Sequence, residues 1–248
     1  MQINNVLPPR NLQTQTAPLP LKSKPNAPRC SNCDDKRYYR YDVEPGHVFF
    51  GKLFPCPECN KQEVDYNSGL RERERNITLD MVKTANRTGT QNMVAAARKF
   101  IAKPSGFLSL HGANGTGKTM ITQAIVNAAT SKGIEARYLT ASELSAALRE
   151  TFKDGAKDTD YSLLHKFAKI PVLIIDELDK LRDTPYSREI QQELINLRYR
   201  DADILGTVLA WNGELEDLPW QAVISRASEF VVVRNVDVDM RKLLGDVK

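Results

Sequence analysis

The eight residues GANGTGKT, Gly112 to Thr119, decide how this chain folds. They fit the pattern G-x-x-x-x-G-K-[ST], and they follow the apolar run FLSLHG and open the amphipathic segment GKTMITQAIVNAATSKG, which is the strand-loop-helix setting the pattern needs. Gly112, Gly115 and Gly117 let the backbone turn tightly, so that the N–H groups of Ala113, Asn114, Thr116 and Met120 are candidates to face phosphate oxygens. The positive end of the following helix favours the same anion. In this pattern Lys118 reaches the β and γ phosphates and the Thr119 hydroxyl ligates magnesium.

Working outward, the runs FLSLHG, EARYLT, PVLIIDEL, ILGTVLAWN and EFVVVRN alternate with helical patterns in GKTMITQAIVNAATSKG, ASELSAALRETF, YSREIQQELINLRYR and DMRKLLG. That alternation predicts an α/β fold with a parallel sheet covered on both faces. Apolar residues from Thr78 to Lys103 fall at helical spacing, with a break near Thr88-Gly89. At the exit of the wholly apolar run PVLIID stand Asp176 and Glu177, on the edge where open α/β sheets bind ligands. Asp176 is a candidate to hold magnesium through water, and Glu177 to orient or deprotonate an attacking water. Asp179 reads as a solvated helix-start residue. Asn212 ends another strand, where its amide could position that water or serve only as a turn residue. Arg226 and Arg241 are arginines that a plain phosphate-binding fold does not require; a guanidinium supplied by a neighbouring subunit would tie hydrolysis to assembly.

Ahead of this region, Cys30-x-x-Cys33 and Cys56-x-x-Cys59 offer four thiolates in two close pairs, each in turn-forming company. Four such ligands suit a closed structural zinc site; a redox dithiol and buried free thiols are the alternatives. His47 reads as a loop residue. Between the pairs, KRYYRYDVEPGHVFFGKLF displays aromatic and basic side chains that a small module cannot bury, the mark of a face that binds protein or DNA. Residues 1–28 read as a Pro-, Gln- and Asn-rich tail, 29–75 as a zinc-binding module and linker, and 76–248 as the nucleotide-binding domain. In the linker, SGLRERERN suits a solvated connector or a nucleic-acid or partner contact.

The 248 residues carry a formal charge of +4. The excess lies before Asn76, so attraction to nucleic acid beyond that point must be local. No apolar run is long enough to span a bilayer and the start lacks a secretion signal, so a cytosolic protein is expected, in which paired cysteines bind metal more often than they oxidise.

The linked series GFLSLHGANGTGKT, VLIIDELD, INLRYR, AWN and ISR resembles the AAA+ replicative helicase loaders of the DnaC and DnaI type, phage versions included, with the transposon helper ATPase IstB a close cousin. The likeness covers roughly Thr78 to Leu244, and the cysteine segment is similar to the front end of many loader relatives. It implies a AAA+ P-loop NTPase with a five-stranded parallel sheet behind a small zinc-binding domain, using ATP, Mg²⁺ and Zn²⁺. By the same resemblance Lys118 and Thr119 form the Walker A pair, Asp176 and Glu177 the Walker B pair, Asn212 is the sensor-1 residue, Arg226 the arginine finger and Arg241 the sensor-2 arginine.

The implied partners are a hexameric replicative DNA helicase, single-stranded DNA and further copies of this chain. Phe152 would then be a DNA-contacting aromatic, with core packing as its rival, and Thr184 and Tyr186 hydroxyl-bearing contacts, with Arg149, Lys153, Lys157 and Arg182 nearby in sequence for backbone charge. Trp211 departs from the family, which has a small residue there. A transposition helper, a zinc-bearing DNA-binding protein with a silent nucleotide site, and a stand-alone translocase are the competing expectations.

Overall fold

A computed structural model describes residues 30, 33–40, 44–45, 50–56, 59, 68–152, 158–218 and 221–240. The tail, His47, Lys153, Lys157, Arg241 and all of DMRKLLG after Met240 lie outside the described residues.

The five apolar runs form one parallel sheet. Its strands are β3 (Gly106–Gly112), β4 (Ala136–Thr140), β5 (Val172–Asp176), β6 (Gly206–Asn212) and β7 (Val231–Asn235), in the order β4-β5-β6-β3-β7. Every residue of β3 and β5 is buried, which is why these strands read as continuous apolar runs and not as alternating ones. One face packs Leu108, Leu110, Ile174, Val208 and Ala210 against helices α1 (Thr88–Ala102) and α2 (Lys118–Ser131). The other packs Phe107, Leu173, Ile175, Leu209 and Trp211 against α3 (Ala141–Glu150), α4 (Asp160–Ala168), α5 (Pro185–Arg200) and α6 (Gln221–Ser228). Because β3 sits between β6 and β7 while the chain's next strand lies across the sheet, its carboxyl end opens at a switch in winding direction, where α/β sheets form crevices.

Helix starts follow local chemistry. Thr140 and Glu143 form a reciprocal cap on α3, with the Glu143 N–H donating to Thr140 Oγ1 at 3.1 Å. Thr159 with Ser162, and Thr184 with Ser187, do the same for α4 and α5. Two helices are additions to the sequence reading, α4 and the α6 that carries Arg226. The apolar spacing of Leu163, Leu164 and Phe167 behind Thr159 was the available signal for the first. The break near Thr88-Gly89 is real: a 3-10 turn at Leu79–Met81 precedes α1, which begins at Thr88.

In the cysteine module a short hairpin pairs β1 (Tyr38–Tyr39) with β2 (Phe54–Pro55) and brings the two Cys-x-x-Cys turns together. The linker is seated more firmly than a solvated connector. Ser68 and Leu70 are buried, and the Ser68 carbonyl accepts from Tyr138 N–H at 2.8 Å on the edge strand β4. Gly69, at φ +79°, lies so close that a Cβ would stand 2.2 Å from the Tyr138 carbonyl oxygen, so only glycine fits that approach. Beyond it Arg71, Glu72 and Arg73 are exposed, as their charge pattern suggests.

Candidate functional site

The loop after β3 and the ends of β5 and β6 enclose a cleft of about 300 Å³, lined by Asn114 to Met120, Asp176, Glu177, Trp211 and Asn212. Gly112, Gly115 and Gly117 all have positive φ, and Gly117 at +95° is the left-handed residue from which α2 starts. Lys118 is buried and folds back over the loop, donating to the Gly112 and Ala113 carbonyls at 2.8 and 2.7 Å. Thr119 faces outward at the start of α2.

Asp176 is only 2% exposed, and both its oxygens are oriented by donors. Oδ1 accepts from the Glu177 N–H at 2.8 Å, and Oδ2 from the Tyr138 hydroxyl at 3.0 Å, with Thr122 Oγ1 3.3 Å away. Burial, followed by the adjoining carboxylate, pushes the Tyr138 phenol well above its usual pKa, so it remains a donor. Glu177 is exposed and sits at φ +56°, a backbone shape uncommon for a non-glycine residue, which turns it from the strand end toward the cleft. Desolvation, then the charges of Asp176 and Asp179, raise its carboxyl above the usual range.

Asp179 departs from the sequence reading. It is partly buried and accepts from the Asn212 backbone N–H at 2.9 Å and from Asn212 Nδ2 at 3.0 Å. Burial alone would raise its pKa, but the hydrogen bonds from Asn212 and Lys180 outweigh that and hold it below the carboxylate range. Asn212 is thus fixed in rotamer beside the loop. Trp211, the large residue at an unusual place, points to the opposite face: it is buried, stacks on His111 with ring centroids 5.0 Å apart, and donates from Nε1 to the Glu214 carbonyl at 3.1 Å. Its bulk therefore packs under the cleft rather than displacing Asn212.

The segment after β7 completes the support, and nothing in its sequence advertised this. Asp237 accepts from the Gly89 and Thr90 N–H groups at 3.1 and 2.7 Å, capping α1 from almost 150 residues away. Arg87 donates to the Val238 carbonyl, Asn235 Nδ2 donates to Thr90 Oγ1, and the Met240 N–H donates to the Gly115 carbonyl at 3.1 Å. The loop is clasped from behind by these contacts.

Arg226 is not among the residues lining the cleft; its guanidinium lies over the Tyr199 ring, 5.7 Å from the centroid. Phe152 is 61% exposed, so core packing does not describe it, and it tilts against Tyr186 with centroids 5.5 Å apart. Thr184 and Tyr186 present their hydroxyls differently from the expectation. The Thr184 hydroxyl accepts the Ser187 N–H as the α5 cap, and the Tyr186 hydroxyl is buried without a hydrogen-bond partner among the described residues.

In the module, Cys30 Sγ lies 3.6 Å from Cys56 Sγ and Cys33 Sγ 3.5 Å from Cys59 Sγ, all four within 4.8 Å of one another. A tetrahedron with metal–sulfur bonds of about 2.3 Å has edges of about 3.8 Å, so the set fits zinc, whereas a disulfide needs contact near 2 Å. Among the described residues no helix is long and apolar enough to cross a membrane.

A strand-loop-helix phosphate cradle after β3, facing the paired acids at the end of β5, defines a nucleotide-binding ATPase fold, and residues 108–234 match the family model "ATPase family associated with various cellular activities (AAA)". This chain belongs to that family. It is similar to the replicative helicase loader DnaC of Escherichia coli, 23% identical over 162 residues that span 64% of this chain and 65% of that protein. It also resembles the putative ATP-binding protein of insertion sequence IS5376 from Geobacillus stearothermophilus, 31% identical over 128 residues, 52% of this chain and 49% of that one. Among solved folds, the crystal structure of the DnaC helicase loader superposes with a TM-score of 0.56 at 21% identity, covering 66% of this chain and 99% of that one.

Proposed function

We propose that this protein is an ATP-hydrolysing loader that delivers a hexameric replicative DNA helicase onto single-stranded DNA. The observation that carries the reading is the convergence of Lys118, Thr119, Asp176, Glu177 and Asn212 on one cleft. The backbone N–H groups from Ala113 to Met120 cradle the triphosphate, and Lys118 exchanges its two carbonyl partners for β and γ phosphate oxygens. Thr119 and Asp176 would hold magnesium, which when bound neutralises charge on those phosphates. Glu177 takes the proton of the attacking water, helped by a carboxyl whose affinity for protons is raised, and Asn212, held by Asp179, positions that water. Arg226, outside the cleft of its own subunit, reaches the γ phosphate of a neighbour in the assembled ring, and Arg241 contacts the phosphates from its own chain.

Single-stranded DNA lies across the exposed Phe152 ring and its Tyr186 neighbour, where an aromatic face stacks on any base, and Thr184 holds the turn that presents them. Residues 29–75 form the helicase-docking module and its linker, closed by zinc on Cys30, Cys33, Cys56 and Cys59; zinc when bound supplies a cross-link with no open coordination position. Residues 76–248 are the ATPase domain and residues 1–28 a tail.

The test is co-purification with the replicative helicase. The wild-type protein is expected to carry one zinc per chain and to retain the helicase with ATP present. Cys56→Ser is expected to lose both zinc and helicase while keeping ATP hydrolysis within about twofold of wild type. Zinc content unchanged in Cys56→Ser, or helicase retained after zinc is lost, contradicts the docking role. The likeness to the insertion-sequence ATPase favours a second reading, a transposition helper, which in the same experiment would retain a transposase on duplex DNA and not the helicase.

A further inference from the structure

We infer that Tyr138 is a positioning residue for the magnesium site, holding Asp176 in the orientation that a bound ion requires. The inference rests on the nucleotide reading of the cleft. Asp176 is 2% exposed, so both of its oxygens must find their donors inside the protein. The Glu177 N–H fixes Oδ1 at 2.8 Å. For Oδ2 two hydroxyls lie in range, but they are not equivalent. Thr122 Oγ1 is 2.8 Å from the Thr119 carbonyl and 3.3 Å from Asp176, and a hydroxyl has one proton, so that proton belongs to the shorter bond inside α2. Among the described residues Tyr138 makes one side-chain hydrogen bond, to Oδ2 at 3.0 Å, and therefore sets that oxygen. With one donor on each oxygen, the carboxylate is held against rotation, and Asp176 lines the cleft together with Thr119.

The placement of Tyr138 makes the arrangement rigid. Its side chain is buried against the α2 face of the sheet and its strand pairs with β5 in register, Tyr138 opposite Ile174 and Thr140 opposite Asp176. The phenol thus reaches two residues up the neighbouring strand to the acid. Its own backbone is the point where the linker from the cysteine module joins the sheet edge, through the Ser68 carbonyl. One residue therefore carries both the linker contact and the orientation of the acid.

The experiment is calorimetric binding of ATPγS to the full chain, with and without magnesium, for the wild type, Tyr138→Phe and Lys118→Ala. Phenylalanine keeps the ring and loses only the hydroxyl. Tyr138→Phe is expected to bind ATPγS without magnesium as the wild type does, and to lose about tenfold of the tightening that magnesium brings, the usual effect of removing a group that orients a metal ligand. A magnesium effect within twofold of wild type overturns the role of Tyr138, and so does an equal loss with and without magnesium, which marks a structural role alone. If the wild type binds no more tightly than Lys118→Ala, the nucleotide reading fails and this inference with it.

Discussion

Lys118→Ala is expected to lower magnesium-dependent ATP hydrolysis by about 10²- to 10³-fold, the size of effect seen when one preorganised donor is removed from a developing oxyanion. Among the described residues that line the cleft Lys118 carries the one ammonium, and its closest acceptors are neutral carbonyls at 2.8 and 2.7 Å, partners that a triphosphate outcompetes by charge. Glu177→Gln separates binding from chemistry. The amide keeps the shape of the side chain and cannot take a proton, so nucleotide affinity is expected to stay within about threefold while turnover falls by about 10²-fold or more. Mixing then reads assembly. Arg226→Ala subunits retain Glu177, and Glu177→Gln subunits retain Arg226, so a mixed ring contains junctions with both groups and is expected to hydrolyse ATP faster than either variant alone. Additive rates in the mixture contradict an Arg226 that acts across a junction, and nucleotide binding unchanged in Lys118→Ala contradicts the assignment of the loop.

The second large effect is on stability. Arg198 is 0% exposed, and no carboxylate pairs with it among the described residues. Its Nη1 donates to the carbonyls of Ala168 and Ile170 at 3.0 and 2.8 Å, Nη2 donates to the Gly206 carbonyl at 2.6 Å, and Nε donates to Thr207 Oγ1 at 2.8 Å. This one side chain ties the ends of α4 and α5 to the start of β6, and burial pulls its pKa down to about 9, so it remains charged at neutral pH. Arg198→Ala leaves several buried acceptors without donors, plus a cavity. At about 1–3 kcal/mol for each group that finds no water, a total loss of about 3–5 kcal/mol is expected in urea unfolding. Arg198→Lys keeps the charge but not the planar fork, and is expected to recover less than half of that loss. A change under about 1 kcal/mol for Arg198→Ala would mean that water or a neighbour replaces the guanidinium.

What could be read from the sequence was local. Five strands and the loop were legible because each is specified within about ten residues: an apolar run such as VLII suits burial on both faces, and Gly112 and Gly117 stand where the loop takes positive φ. The four cysteines were legible for the same reason, and their sulfurs do gather. What escaped was pairing across the chain. Asp179 reads as a solvated acid until β6 brings Asn212 against it, and Asp237 reads as part of a loop until β7 delivers it to the bare start of α1. Tyr138 reads as an ordinary strand aromatic, since its value lies in a register with β5 that no local pattern encodes. Thr184, which the resemblance makes a hydroxyl-bearing contact, also caps α5, its hydroxyl accepting the Ser187 N–H at 3.1 Å.

The central claim is that the loop ahead of α2 grips a nucleoside triphosphate beside Asp176 and Glu177. The most direct measurement is a crystal structure of the protein with ATPγS and magnesium. Lys118 Nζ is expected to have left the Gly112 and Ala113 carbonyls for the γ phosphate, with magnesium held by Thr119 and Asp176 and Tyr138 still bonded to Oδ2. Nucleotide bound elsewhere on the protein, or in the cleft with Lys118 still on its carbonyls, would contradict it.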